Sequence, residues 1–223
     1  YEDLGLLTAS DTVGKDLTRL FNELSGYAIE KKFKRLLVAP LHLRKGLLKL
    51  IQGEIDNAKA GLPSGIRIKV NSIVDEAIID ALYRASNAGV PIDLVVRGIC
   101  GLMPGREGMS ETIRVRSVLG RYLEHARIFS FVAGGEPQVY IGSSDMMHRN
   151  LDRRVEALVR ITDPEHLREL DEVFELAMSP ETSAWTLDAS GEWVRNSRDN
   201  AGAPLRDMQN VLMTSIASRT RPA

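Results

Sequence analysis

Hydrophobic positions along this chain recur in two alternating rhythms, one of about 3.6 residues and one of about two, and the switches between them mark out helices and strands. Ser10 and Asp11 stand as N-caps before Leu17, Leu20, Phe21 and Leu24, which predicts a short helix with one apolar face. After the basic run Lys31, Lys32, Lys34 and Arg35, the apolar Leu36, Leu37, Val38 and Ala39 stop at Pro40 and read as a buried strand opening a new domain near residue 34. A helix carrying Leu47, Ile51 and Ile55 then turns through Gly61, Pro63 and Gly65 into a strand at Ile66, Ile68 and Val70. Ser72 and Asp75 resemble a capping box ahead of a helix with Ile78, Ala81, Leu82 and Ala85, and Gly89 and Pro91 lead into a strand from Ile92 to Val96.

This alternation predicts an α/β fold with a sheet carrying helices. Arg97 follows the third strand directly, at the kind of strand end where open α/β sheets gather their ligands. Past the loop from Pro104 to Gly108, a strand and a short helix are expected to end in Tyr122-Leu123-Glu124-His125, placing His125 at a strand start. Ile128, Phe129 and Phe131, the turn Gly134-Gly135, and Val139, Tyr140 and Ile141 predict a hairpin. Asp163-Pro164 opens a helix with Leu167, Leu170, Val173, Phe174 and Ala177 as its core face, ending at Pro180. Asn196 to Pro204 reads as a loop before an amphipathic helix through Leu205, Met208, Leu212 and Ile216, in which Met208 and Met213 are packing residues.

Composition narrows the class. The chain has 223 residues, 43% hydrophobic and 26% charged, with a net charge of −1, which fits a globular protein and argues against a nonspecific nucleic-acid binder. Every Lys lies at or before Lys69, whereas Arg97, Arg106, Arg114, Arg116, Arg121, Arg127, Arg149, Arg153 and Arg154 crowd the middle of the chain. Guanidinium forks match phosphate oxygens, so repeated phosphate contact would favour such a stretch, although each Arg taken alone reads first as a solvated charge. A lone cysteine, Cys100, excludes an internal disulfide and fits a cytoplasmic setting. No stretch is long and apolar enough for a membrane span, and a chain opening on Tyr1 without a signal-peptide pattern reads as an internal piece of a longer protein.

One constellation carries chemistry. His125-Ala126-Arg127, then Gly142-Ser143-Ser144-Asp145, then Glu156 resemble one half-site of the phospholipase D superfamily, which has His-x-Lys, Gly-Ser-x-Asn and a trailing acid that orients the imidazole. Arg127 stands in place of Lys, Asp145 in place of Asn, and the family's Asp after the Lys has no counterpart. A phosphodiesterase acting on lipid or nucleic acid needs two half-sites, one histidine attacking and one protonating, and only one is present. His42, His148 and His166 lack a partner pattern and read as surface or structural residues.

The chain is also similar to bacterial-type polyphosphate kinases from Tyr1-Glu2-Asp3-Leu4-Gly5-Leu6-Leu7-Thr8 almost to its end. Gly61-Leu62-Pro63-Ser64-Gly65-Ile66, Val96-Arg97-Gly98, Arg121-Tyr122-Leu123-Glu124-His125 and Arg149-Asn150-Leu151-Asp152-Arg153-Arg154-Val155-Glu156 carry that resemblance. It implies a phospholipase-D-like α/β domain over residues 35–223, with a mixed β-sheet flanked by helices on both faces, and residues 1–34 as the end of a preceding sister domain. It implies an ATP:polyphosphate phosphotransferase working reversibly through a phosphohistidine upstream of Tyr1. His125 then corresponds to the family's second histidine, Arg97 to its phosphate-contacting arginine and Tyr1 to its nucleotide-contacting tyrosine. Glu156, Ser143, Asp145 and Arg127 would support them.

The same resemblance implies ATP, ADP and polyphosphate as ligands, Mg2+ with its ligands upstream, contact with upstream domains, a homo-oligomer when full-length, and a cytoplasmic protein compatible with peripheral membrane association. The piece itself would be inactive. The alternatives are the phosphodiesterase and a noncatalytic polyanion-binding module. Phosphoryl transfer depends on positioning and charge stabilisation. A guanidinium at 97 supplies charge, and an imidazole, with a reference pKa of about 6.5, can hold or release a proton near neutrality.

Overall fold

The computed structural model describes residues 1–26 and 32–219. Lys31 of the basic run and residues 220–223 of the second predicted domain lie outside them. Nine strands form one mixed sheet: β1 (Leu36–Val38), β2 (Ile66–Val70), β3 (Ile92–Val96), β4 (Ile113–Ser117), β5 (Ile128–Phe131), β6 (Gln138–Gly142), β7 (Ala157–Ile161), β8 (Ala184–Leu187) and β9 (Trp193–Asn196), in the spatial order β1-β7-β6-β5-β2-β3-β4-β8-β9. Among the strands of the described residues, only β2–β3 and β3–β4 pair in parallel. β1 lies at the far edge, antiparallel to β7.

The helices are α1 (Asp11–Leu24), α2 (Leu43–Lys59), α3 (Glu76–Asn87), α4 (Pro164–Met178) and α5 (Met208–Arg219). Strand alternation sends side chains to both faces and explains two cores. Ile66, Ile68, Ile92, Leu94, Phe129 and Phe131 pack with Leu47 and Ile51 of α2 and Ile78 and Leu82 of α3. Val95, Ile128, Val139 and Ile141 point the other way, to Leu170 and Phe174 of α4 and Met208 of α5. Each fully buried aliphatic or aromatic side chain contributes about 1.5–3 kcal/mol over its exposed state. The expected mixed sheet with helices on both faces is what forms.

Several local expectations change. Asp75, not Ser72, caps α3, accepting from the Ile78 N–H at 3.1 Å, while the Ser72 hydroxyl accepts from the Ile99 N–H. No helix precedes His125, because residues 118–127 run irregularly with Gly120 pressed on Gln209, where a Cβ would lie 2.4 Å from the amide oxygen. On α1 the buried residues are Val13, Asp16 and Leu20, and Leu17, Phe21 and Leu24 are exposed. The reason is Asp16, whose Oδ2 accepts the main-chain N–H groups of Lys34, Arg35 and Leu36 and so fixes which side of the helix faces β1. α5 buries Met208 and Gln209 but leaves Met213 and Ile216 exposed, so it is less amphipathic than its sequence suggests. β7, β8, β9 and the π-helical turn Arg149–Arg153 are present beyond the elements that the sequence pattern predicts.

Candidate functional site

Strand directions bring the chemically interesting residues to one end of the sheet. β5 runs antiparallel to β2 with Lys69 opposite Ile128, and β6 runs antiparallel to β5 with Ile141 opposite Ile128. The start of β5 therefore meets the ends of β2, β3 and β6. Arg97 follows β3, His125 and Arg127 precede β5, and Ser143 and Asp145 follow β6. Gly142, the last residue of β6, packs so tightly on β7 that a Cβ there would lie 2.0 Å from the Ala157 carbonyl oxygen.

Two of the three departures from the resembled pattern, those at Arg127 and Asp145, are one feature. Arg127 donates from Nε to Asp145 Oδ1 at 3.3 Å and from Nη2 to Oδ2 at 3.1 Å, a fork-on-fork ion pair with side chains 10% and 5% exposed. Arg127 Nη1 also donates to the His125 carbonyl at 2.9 Å and lies 3.1 Å from the imidazole Nε2. Asp145 continues the network: its Oδ1 accepts the Asn71 main-chain N–H at 2.8 Å, and Asn71 Oδ1 accepts Arg97 Nε at 2.7 Å. A continuous chain of contacts thus joins Arg97 to His125, with neither group sealed in apolar packing.

The imidazole's carboxylate partner is Asp3, whose Oδ2 lies 2.7 Å from Nδ1. Burial pushes the Asp3 carboxyl up, but the hydrogen bond to His125, the Leu4 N–H and the charges of His125 and Arg127 together hold it below the usual carboxylate range. Glu156, expected to orient the imidazole, stands just before β7 and instead accepts from Asn150 Nδ2 of the π-helical turn at 2.6 Å. Tyr1 stands edge-on to the imidazole, ring centres 5.3 Å apart. The Ser143 hydroxyl accepts the Ala157 N–H at 3.3 Å, so it secures the β6–β7 end. Asp3, His125, Arg127 and Ser143 line one open cleft of about 490 Å³ with Leu4 and Val159.

His125 lies three residues ahead of β5 rather than at its start, and what holds it was missed from sequence. Glu2 donates its N–H to the Leu123 carbonyl and accepts the His125 N–H, both at 2.8 Å. Beneath them Lys69 of β2, 2% exposed, sets its Nζ 2.9 Å from both Glu2 Oε2 and Glu124 Oε2. Glu124 also accepts from Gln209 Nε2 at 2.6 Å. Burial raises the Glu2 carboxyl above its ordinary value, with Lys69 opposing and Glu124 adding to the rise.

Other arginines take structural work. Arg116 is buried and donates to the Ser179 and Thr182 carbonyls, and Arg114 pairs with Asp93. His148 does have partners, with Nε2 2.7 Å from Glu76 and Nδ1 3.3 Å from Asp152. For magnesium the site offers little: Asp145 is engaged by Arg127 and Asn71, Asp3 by His125, and among the described residues no three His, Cys, Asp or Glu side chains are grouped to hold an ion. Among the described residues no helix is long and apolar enough to cross a membrane.

This order defines an open, mixed α/β sheet that carries a His-x-Arg element before β5 and Gly-Ser-x-Asp after its antiparallel neighbour β6. Residues 36–208 match the family described as polyphosphate kinase C-terminal domain 2, and the chain belongs to that family. It is 59% identical over 219 residues to the polyphosphate kinase of Streptomyces coelicolor, covering 98% of this chain and 29% of that protein. It is 50% identical over 217 residues to that of Mycobacterium tuberculosis, covering 96% and 29%. The crystal structure of polyphosphate kinase from Porphyromonas gingivalis superposes with a TM-score of 0.88 at 36% identity, covering 95% of this chain and 32% of that one. The chain therefore spans under a third of the length of these relatives.

Proposed function

We propose that this chain is the C-terminal part of an ATP:polyphosphate phosphotransferase, with residues 35–223 as its second phospholipase-D-like domain and residues 1–34 closing the first. The observation that carries the reading is the contact chain from Arg97 through Asn71, Asp145 and Arg127 to His125, which opens beside Tyr1. In the proposed reaction a histidine outside this chain attacks the γ-phosphorus of ATP; the bond to the β,γ-bridging oxygen breaks as the N–P bond forms, and ADP leaves. A terminal polyphosphate oxygen then attacks the phosphohistidine and returns that histidine to its starting state. Arg97 spreads its charge over the equatorial phosphate oxygens, and His125 donates a proton or hydrogen bond from Nε2 to the departing oxygen while Asp3 holds Nδ1.

Tyr1 is proposed to contact the nucleotide. The Mg2+ that the family implies would draw its ligands from outside this chain, so the contribution proposed here is that of the chain's own side chains. Cytoplasmic location and homo-oligomerisation of the complete enzyme belong to the same proposal. The test uses γ-labelled ATP. The isolated chain should take up no stable label, and the complete enzyme should carry it on a histidine other than His125. Stable phosphate on His125 would overturn the assignment of roles. Hydrolysis of a diester substrate without ATP-dependent polymer synthesis would favour a phosphodiesterase instead.

A further inference from the structure

Asn71 of the contact chain has no role in the chemistry above. Asn71, immediately after β2, is 6% exposed and touches both halves of the site. Its Oδ1 accepts Arg97 Nε at 2.7 Å, its main-chain N–H donates to Asp145 Oδ1 at 2.8 Å, and its Nδ2 donates to Asp145 Oδ2 at 3.3 Å. Gly98 brings β3 close enough for this arrangement, since its N–H donates to the Asn71 carbonyl at 2.8 Å and a Cβ at 98 would lie 2.8 Å from that same oxygen.

The two guanidiniums of the site thus have opposite electrostatic surroundings. Arg127 faces a carboxylate on two of its nitrogens and is neutralised as a pair. Arg97 is anchored by a neutral amide, and among the described residues its side chain makes no other hydrogen bond or ion pair. Tying Nε fixes the plane of the guanidinium and leaves the two Nη groups to bind as a fork. A carboxylate in the same place would orient Arg97 equally well and cancel the charge that attracts an anion.

We propose that Asn71 is a positioning residue that holds Arg97 through a neutral acceptor, keeping the guanidinium oriented and its charge uncancelled for a phosphate group of ATP or polyphosphate. This rests on the reading of Arg97 as the phosphate-contacting group. Exchanging the two polar ends, Asn71→Asp together with Asp145→Asn, preserves side-chain volumes and moves the negative charge from Arg127 to Arg97. Asn71→Ser keeps the position neutral and shortens the anchor.

The experiment measures KM and kcat for ATP and for polyphosphate, and the salt dependence of kcat/KM, in the complete polyphosphate kinase containing this chain. Arg97→Ala tests the underlying reading alone, and an unchanged KM for both substrates removes it. With that arm weakened, the exchange variant should raise KM about tenfold or more and flatten the salt dependence toward that of Arg97→Ala. Asn71→Ser should raise KM about fivefold while keeping the wild-type salt dependence, because the charge survives and only its placement is lost. Wild-type KM in the exchange variant overturns the proposal, as does wild-type KM in Asn71→Ser should the exchange variant fail to melt cooperatively. Equal flattening of the salt dependence in Asn71→Ser and in the exchange variant also overturns it.

Discussion

Arg127 and Asp145 are each other's partner, joined by two hydrogen bonds. Their side chains are 10% and 5% exposed, so either one alone would be a nearly buried charge. Asp145→Ala should cost about 3–5 kcal/mol in urea unfolding, the range for removing one member of a buried pair. The double variant Arg127→Met with Asp145→Leu should be less destabilised than the sum of the two single changes, with a coupling of about 1 kcal/mol or more. Additive effects would mean that the contacts at 3.1 and 3.3 Å carry little mutual stabilisation. Asp3 acts at the same scale, through one contact with the imidazole. Asp3→Asn keeps its size and removes the charge that holds Nδ1–H, and the complete enzyme should lose about tenfold or more in kcat. An unchanged rate would show that another group orients His125.

At the scale of elements, the site depends on how the irregular segment 118–127 is pinned to the sheet. Lys69 lies on β2 between Ile68 and Val70 and turns its ammonium to the opposite face, where Glu2 and Glu124 meet it. Lys69→Met should therefore leave the buried Glu124 carboxylate and the half-buried Glu2 carboxylate without a counter-charge and cost about 3–5 kcal/mol in urea unfolding. Adding Glu2→Gln and Glu124→Gln should recover part of the loss. If the single variant unfolds like wild type, the ammonium is not what secures this segment.

This explains what was legible in the sequence. The grouping of His125, Arg127, Gly142, Ser143 and Asp145 is readable because these residues flank two consecutive strands, and short-range spacing carries it. Lys69 looked like an ordinary polar residue in an alternating strand, and its partner Glu2 lies 67 positions away. Asn71 and Asp3 were hidden for the same reason. β8 and β9 are not legible because β8 buries only its two end residues and β9 is mostly exposed, which leaves no alternating apolar face to detect. The Glu156 expectation failed because a motif names the type of acid but not which of two carboxylates, Asp3 or Glu156, far apart along the chain, reaches the ring.

For the molecule as a whole, acid stability should be governed by carboxylates that join separate elements. Arg44 of α2 hydrogen-bonds from Nη2 to both Asp152 of the π-helical turn and Asp75 at the start of α3, each at 2.7 Å. The Arg44 hydrogen bond pulls Asp152 from 3.8 down to about 2, with His148 assisting and partial desolvation opposing. A depressed carboxyl stabilises the fold above its unfolded value and loses that contribution as pH falls through its folded value. Glu2 has the opposite sign: its carboxyl is raised by burial, so its contribution is present below the ordinary glutamate value of about 4.5 and is lost as pH rises through the folded one. The two variants should accordingly separate in urea titrations between pH 2 and pH 8. Asp152→Asn should flatten the fall in stability between about pH 4 and pH 2, whereas Glu2→Gln should leave that limb intact and flatten the change above about pH 4.5. If both variants followed the wild-type curve throughout, neither junction would be under carboxylate control. Because the Lys69 cluster and the Arg44 cluster share no residue, their effects should add, and a departure from additivity would reveal coupling through the sheet between the segment bearing His125 and the turn after Asp145.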